Sequence, residues 1–140
     1  MKKLTFALGL LTIACSTNAT EITPGLYQIN ISIENPTIGL SRKQSVTECI
    51  TADEFANGPR AFMNQQQQDS VCTMQNYSIE NGNITMNMAC EIPGGGKAHV
   101  RGTGKYTKDT FLMTNKMIME AAGIKMEMQT TADAKRTGDC

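Results

Sequence analysis

Apolar and polar residues alternate along most of this chain, and the pattern is clearest over residues 72–90. Ile84, Met86, Met88 and Cys90 occupy every second position, with Thr85, Asn87 and Ala89 between them, the period of a strand with one buried face. Asn81-Gly82 lies at the middle of the segment, and Asn-Gly favours a tight hairpin because both residues accept positive φ. Upstream, Tyr27, Ile29, Ile31 and Ile33 alternate with Gln28, Asn30, Ser32 and Glu34, and Asn35-Pro36-Thr37 turns the chain. Residues 44–50 read as a second strand of weaker pattern. Thr51-Ala52-Asp53-Glu54 is then a capping box, in which the hydroxyl and the carboxylate satisfy backbone donors at a helix start. Asn57-Gly58-Pro59 stops this short helix, and Pro59 can open a second turn carrying Ala61, Phe62 and Met63. Residues 65–70 are polar and read as a solvated tail or loop.

Alternation resumes after the hairpin. Pro93-Gly94-Gly95-Gly96 breaks the chain, and Ala98, Val100, Gly102, Gly104 and Tyr106 then face away from Lys97, His99, Arg101, Thr103 and Lys105. The two interior glycines leave room for a bend or a close approach. Lys108-Asp109 leads into Phe111, Met113, Asn115, Met117 and Met119, and Ala122-Gly123 leads into Ile124, Met126 and Met128, opposed by Lys125, Glu127 and Gln129. About seven strands joined mostly by short turns predict an all-β antiparallel meander. Its apolar face needs a cover, and one short helical segment cannot supply all of it. The sheet is therefore expected to curl into a barrel or half-barrel, with that segment plugging an end or an open side. An outer-membrane barrel would alternate in the same way but carry aromatic girdles, which this chain lacks.

The first residues follow a different rule. Lys2 and Lys3 precede an apolar run from Leu4 to Ala14, and Thr17-Asn18-Ala19 offers a small-x-small cleavage site. Residues 1–19 thus read as a signal peptide, and residues 20–140 as a single β-rich domain without a transmembrane segment. An alternative uses Ala14-Cys15 as a lipoprotein box that anchors the protein through Cys15. Cleavage removes Lys2 and Lys3 from 13 basic side chains and nothing from 13 acidic ones, for a formal charge of −2. That balance argues against a nucleic-acid partner. Cys49, Cys72, Cys90 and Cys140 remain, an even number behind an export signal, and read as two disulfides. Cys49–Cys72 with Cys90–Cys140 is favoured, because the first would staple the only non-strand segment and the second would pin the C-terminus. Cys72–Cys90 with Cys49–Cys140 is the competitor.

Several of these features occur together in one known group. With its export signal, Pro24-Gly25-Leu26-Tyr27, Cys49-Ile50-Thr51-Ala52-Asp53-Glu54, the Cys72-to-Cys90 hairpin, alternating Met and Thr, and a final Gly138-Asp139-Cys140, the chain resembles the small exported bacterial proteins of the domain of unknown function 3617 family. Tyr27 stands where Trp is frequent there, and Ala52 where Pro is frequent. The resemblance implies a protein of the Gram-negative envelope, periplasmic or secreted, and supplies no activity or catalytic residue.

Methionine is the compositional oddity, ten residues against no Trp and four Phe. Met86-x-Met88, Met117-x-Met119 and Met126-x-Met128 set thioethers in pairs on single strand faces. The reading adopted is that they fill an irregular core or line a face for apolar ligands, since Met adapts its shape. The alternative is a Cu(I) or Ag(I) site at Met117, Met119, Met126 and Met128, because soft thioethers select monovalent copper and silver. The single histidine, His99, shares its face with Lys97, Arg101 and Lys105, a poor place for a cation. That row reads as a solvated face, or as one that would meet an acidic partner or lipid headgroup.

Catalysis needs a nucleophile with a base, or a tuned carboxylate pair, and the sequence offers neither. The expectation is therefore a non-enzymatic module without a cofactor that binds a small apolar ligand or lipid. The candidate face comprises Met86, Met88, Met113, Tyr106 and Phe111, continued by Met117, Met119, Met126 and Met128. One alternative is a structural module with a filled core that meets another envelope protein; the copper site is the other.

Overall fold

A computed structural model of the protein describes residues 21–57 and 71–140. Strands β1 (Gly25–Asn35) and β2 (Leu40–Ile50) form a hairpin, followed by helix α1 (Ala52–Asn57). Strands β3 (Val71–Glu80), β4 (Asn83–Ile92), β5 (Gly96–Tyr106), β6 (Thr110–Ala121) and β7 (Ile124–Gly138) complete the sheet. All neighbours are antiparallel, in the order β2-β1-β7-β6-β5-β4-β3. The signal-peptide reading, the second helical turn at Pro59 and the polar segment 65–70 lie outside the described residues.

The seven-stranded all-β expectation holds, with one change of topology. Strands β3 to β7 form a plain meander, but the β1–β2 hairpin joins it through β1 against β7, Ile29 facing Ala134 and Ile31 facing Ala132. Two strands also run further than their sequence patterns suggest. β2 starts at Leu40, and β7 continues to Gly138, where Ala132 and Ala134 are buried between exposed Asp133 and Lys135. β1 and β6 flank this second half of β7, with Ile29 and Phe111 both facing Ala134.

Among the described residues the sheet does not close, and β2 and β3 are its edges. It curls strongly nonetheless. Five inter-strand steps separate β1 from β3, about 24 Å if flat, yet Phe55 of α1 reaches both. Its ring lies 5.8 Å from that of Tyr27 on β1, and its carbonyl accepts a 2.7 Å hydrogen bond from the Tyr77 hydroxyl on β3. The half-barrel is therefore cupped around α1. The capping box forms as expected: Thr51 N–H donates to Glu54 Oε2 at 2.8 Å, and Glu54 N–H donates to Thr51 Oγ1 at 3.3 Å.

The favoured disulfide pairing is overturned. Cys72 bonds Cys90, and Cys49 bonds Cys140. Cys72 lies directly opposite Cys90 in the β3–β4 ladder, so the first bridge is a cross-strand rung. The second ties edge strand β2, otherwise held by β1, to the end of the chain beyond β7.

Candidate functional site

Every strand contributes its alternating apolar set to one concave face. Across the middle of the sheet one row runs Ile31, Ala132, Met113, Gly104, Ile84, Ile79, and the next runs Ile33, Thr130, Asn115, Gly102, Met86, Tyr77. A third runs Met128, Met117, Val100, Met88, Met74, and a fourth Met126, Met119, Ala98, Cys90, Cys72. From the first two rows, Ala132, Met113, Ile84 and Met86 belong to a core that includes Tyr27, Ile29 and Tyr106 and packs against Phe55 and Phe111. Tyr27 is fully buried and donates its hydroxyl to Thr23 O at 2.6 Å. Burial raises its phenol pKa above the ordinary value, reinforced by Asp109 and opposed by Arg136. Burial also raises the Tyr77 phenol, with Tyr106 adding to it.

From the other two rows, Met88, Cys90 and Ala98 form a second cluster bordered by Met117 and Met119, with Met74 and Val100 packing against both clusters and Met126 and Met128 belonging to neither. No residue of α1 belongs to the second cluster. The nine candidate ligand residues thus divide between the two halves. Met86, Met113, Tyr106 and Phe111 sit in the half that α1 covers, and Met88 is buried beyond it. Met117, Met119, Met126 and Met128 are half-buried. These last four are brought together by register, Met117 opposite Met128 and Met119 opposite Met126. Directly opposed residues stand with Cβ atoms about 5 Å apart, so the four thioethers form one patch.

Between the two halves lies a residue that periodicity had placed on this face without singling it out. Asn115 is only 8% exposed, and its Oδ1 has no hydrogen-bond partner among the described residues. The amide lies over Gly102, occupying the space a side chain there would fill. Gly104 likewise lets the backbone of Leu112 approach. A lone Asn in a run of alternating methionines was the sequence signal for this feature.

A family model for DUF3617, described as a protein of unknown function, matches residues 22–140. The chain belongs to the DUF3617 family. No curated protein matches it. The match begins just before β1, and membership carries no activity to the concave face of this DUF3617 chain. Among its described residues no group of three or more His, Cys, Asp or Glu could hold a metal ion. None of its described helices is long and apolar enough to cross a membrane.

The outer face of the DUF3617 sheet is largely polar, interrupted by Val71, Leu112 and Ile118. Lys97, His99, Arg101 and Lys105 are all exposed along β5, as their alternation predicted. Arg101 stands directly opposite Lys116 on β6 and Asn87 on β4.

Proposed function

We propose that this protein is a non-catalytic module of the bacterial envelope that binds a small apolar ligand or lipid chain on the methionine-lined end of its concave face. The observation that carries the reading is the division of that face. α1 packs over the end built around Tyr27, whereas the paired Met117/Met128 and Met119/Met126 stay half-buried at the other. Flexible thioethers fit varied apolar shapes, and Asn115 stands beside Met117 on the same face with an amide able to meet a ligand's polar end. Native mass spectrometry of protein purified without denaturation from its host envelope tests this. A bound mass of lipid size is expected, lost in a Met119→Lys/Met126→Lys variant. A bare polypeptide would overturn the reading and favour a structural or interaction module with a filled core.

The same opposed methionines favour a second reading, a Cu(I) or Ag(I) site of four thioethers. Anaerobic Cu(I) titration against a Met117→Leu/Met119→Leu variant separates the two. Loss of tight binding supports a metal site, and unchanged affinity excludes it.

A further inference from the structure

The outer face carries a feature that the concave face does not explain. Across four strands, Asn76, Asn87, Arg101 and Lys116 stand side by side in one row. Like charges directly opposed on neighbouring strands repel, so the Arg101–Lys116 pair works against the sheet. Lys116 is compensated by Glu127, 2.7 Å away. Arg101 has no acidic partner among the described residues. The strand register also breaks between Met74 and Asn76. A bulge there lets Gln75 and Asn76, both exposed, present their amides on the same side, a device that re-aims side chains at sheet edges. The result is an open groove of about 500 Å³ lined by Gln75, Asn76, Asn87, His99, Arg101 and Lys116 together with apolar Met88, Val100 and Ile118.

We propose that this groove is a binding site for a phosphate ester, with Arg101 as its principal anchor. The chemistry is that of an oxyanion site. A guanidinium offers a planar fork that matches phosphate oxygens, and the amides of Asn76, Asn87 and Gln75 add neutral donors around it. None of these five side chains, Gln75, Asn76, Asn87, His99 and Arg101, donates to another described residue in place of a ligand. The volume suits a phosphorylated headgroup rather than a bare ion. Bound phosphate also relieves the repulsion between Arg101 and Lys116. Lys105 lies on the same face of β5 but four residues further on, about 13 Å away, and is not part of the site.

The test uses the folded, disulfide-bonded protein with two probes: soluble glycerol 3-phosphate followed by NMR, and flotation with phosphatidylcholine vesicles with or without phosphatidylglycerol. We expect the ester to shift the Arg101 Nε–H and the Asn87 side-chain amide, or the phosphatidylglycerol vesicles to float the protein, or both. Arg101→Gln should weaken binding about tenfold or more, Asn87→Thr several-fold, and Lys105→Gln less than twofold. Response to the soluble ester alone assigns a soluble phosphorylated ligand, and response to anionic vesicles alone assigns a lipid headgroup. The proposal is overturned if glycerol 3-phosphate shifts neither group and anionic vesicles do not float the protein, or if Lys105→Gln weakens binding as much as Arg101→Gln, which would mean diffuse charge attraction. Arg101→Gln removes a like-charge contact, so loss of binding without loss of thermal stability is the expected combination.

Discussion

Cys72 lies directly opposite Cys90, and it does so because β3 carries one extra residue. Beside the turn, Glu80 faces Asn83; continued without interruption, that register would set Cys90 opposite Thr73 instead. The shift between Met74 and Asn76 corrects the alignment by one residue, which also returns Cys72 to the buried face. The same bulge therefore serves the disulfide on one face and the amide-lined groove on the other.

The two disulfides should differ in what their loss does. They close segments separated by 18 and 91 residues, for which unfolded-chain entropy suggests about 3 and about 4.5 kcal/mol. Cys72→Ala/Cys90→Ala should leave β3 paired to β4 and lower stability by the smaller amount. Cys49→Ala/Cys140→Ala should cost more and raise amide exchange selectively in edge strand β2. Urea unfolding and hydrogen exchange read both effects, and equal exchange in β2 for the two variants would contradict this assignment.

Gly104 and Gly102 should not tolerate alanine equally. A Cβ at Gly104 meets the backbone carbonyl of Leu112 and lies 3.1 Å from Met113 Cα, neither of which can move without distorting β6. At Gly102 the obstacles are the Asn115 amide and, at 2.6 Å, the end of the Met113 side chain. Both of these are side-chain groups that can turn away. We expect Gly104→Ala to cost about 2–3 kcal/mol and Gly102→Ala about 1 kcal/mol, measured by chemical denaturation.

Asn115 should be a residue that stability would discard. Burying an unpartnered amide oxygen is unfavourable, and a β-branched apolar residue suits a strand. Asn115→Val is expected to raise stability by about 1 kcal/mol while weakening any ligand held through a polar end. A destabilised variant with intact ligand binding would show that the amide serves packing alone.

Alkaline pH should destabilise the protein through Tyr27 and Tyr77. Tyr27 and Tyr77 have folded-state pKa values above the ordinary 10.0, so the native state holds these protons more tightly than the unfolded chain. Their contribution is complete below about pH 10 and is lost as pH rises through the raised folded values. Ionisation also removes the donors to Thr23 O and Phe55 O. Tyr27→Phe and Tyr77→Phe should each lower stability by about 1 kcal/mol at neutral pH. Each should also flatten the decline in stability above the ordinary tyrosine range, read from urea midpoints.

The local rules of this fold were legible without coordinates. A period of two in Ile84, Met86 and Met88 reports which side of a strand is buried, because successive side chains must point to opposite faces. Thr51 and Glu54 mark a helix start because their groups pair within one turn. The half-barrel itself follows from an apolar face too wide for the available helix. The pairing of β1 with β7 did not follow, since alternation says nothing about which strand is the neighbour. The disulfide partners turned on a single bulged residue and on where Cys140 returns. Only the curled sheet decided that Phe55 covers the Tyr27 half of the concave face, and that Asn115 Oδ1 is buried over Gly102 without a partner among the described residues. Those are relations between residues far apart in sequence, set by strand order and register rather than by any local preference.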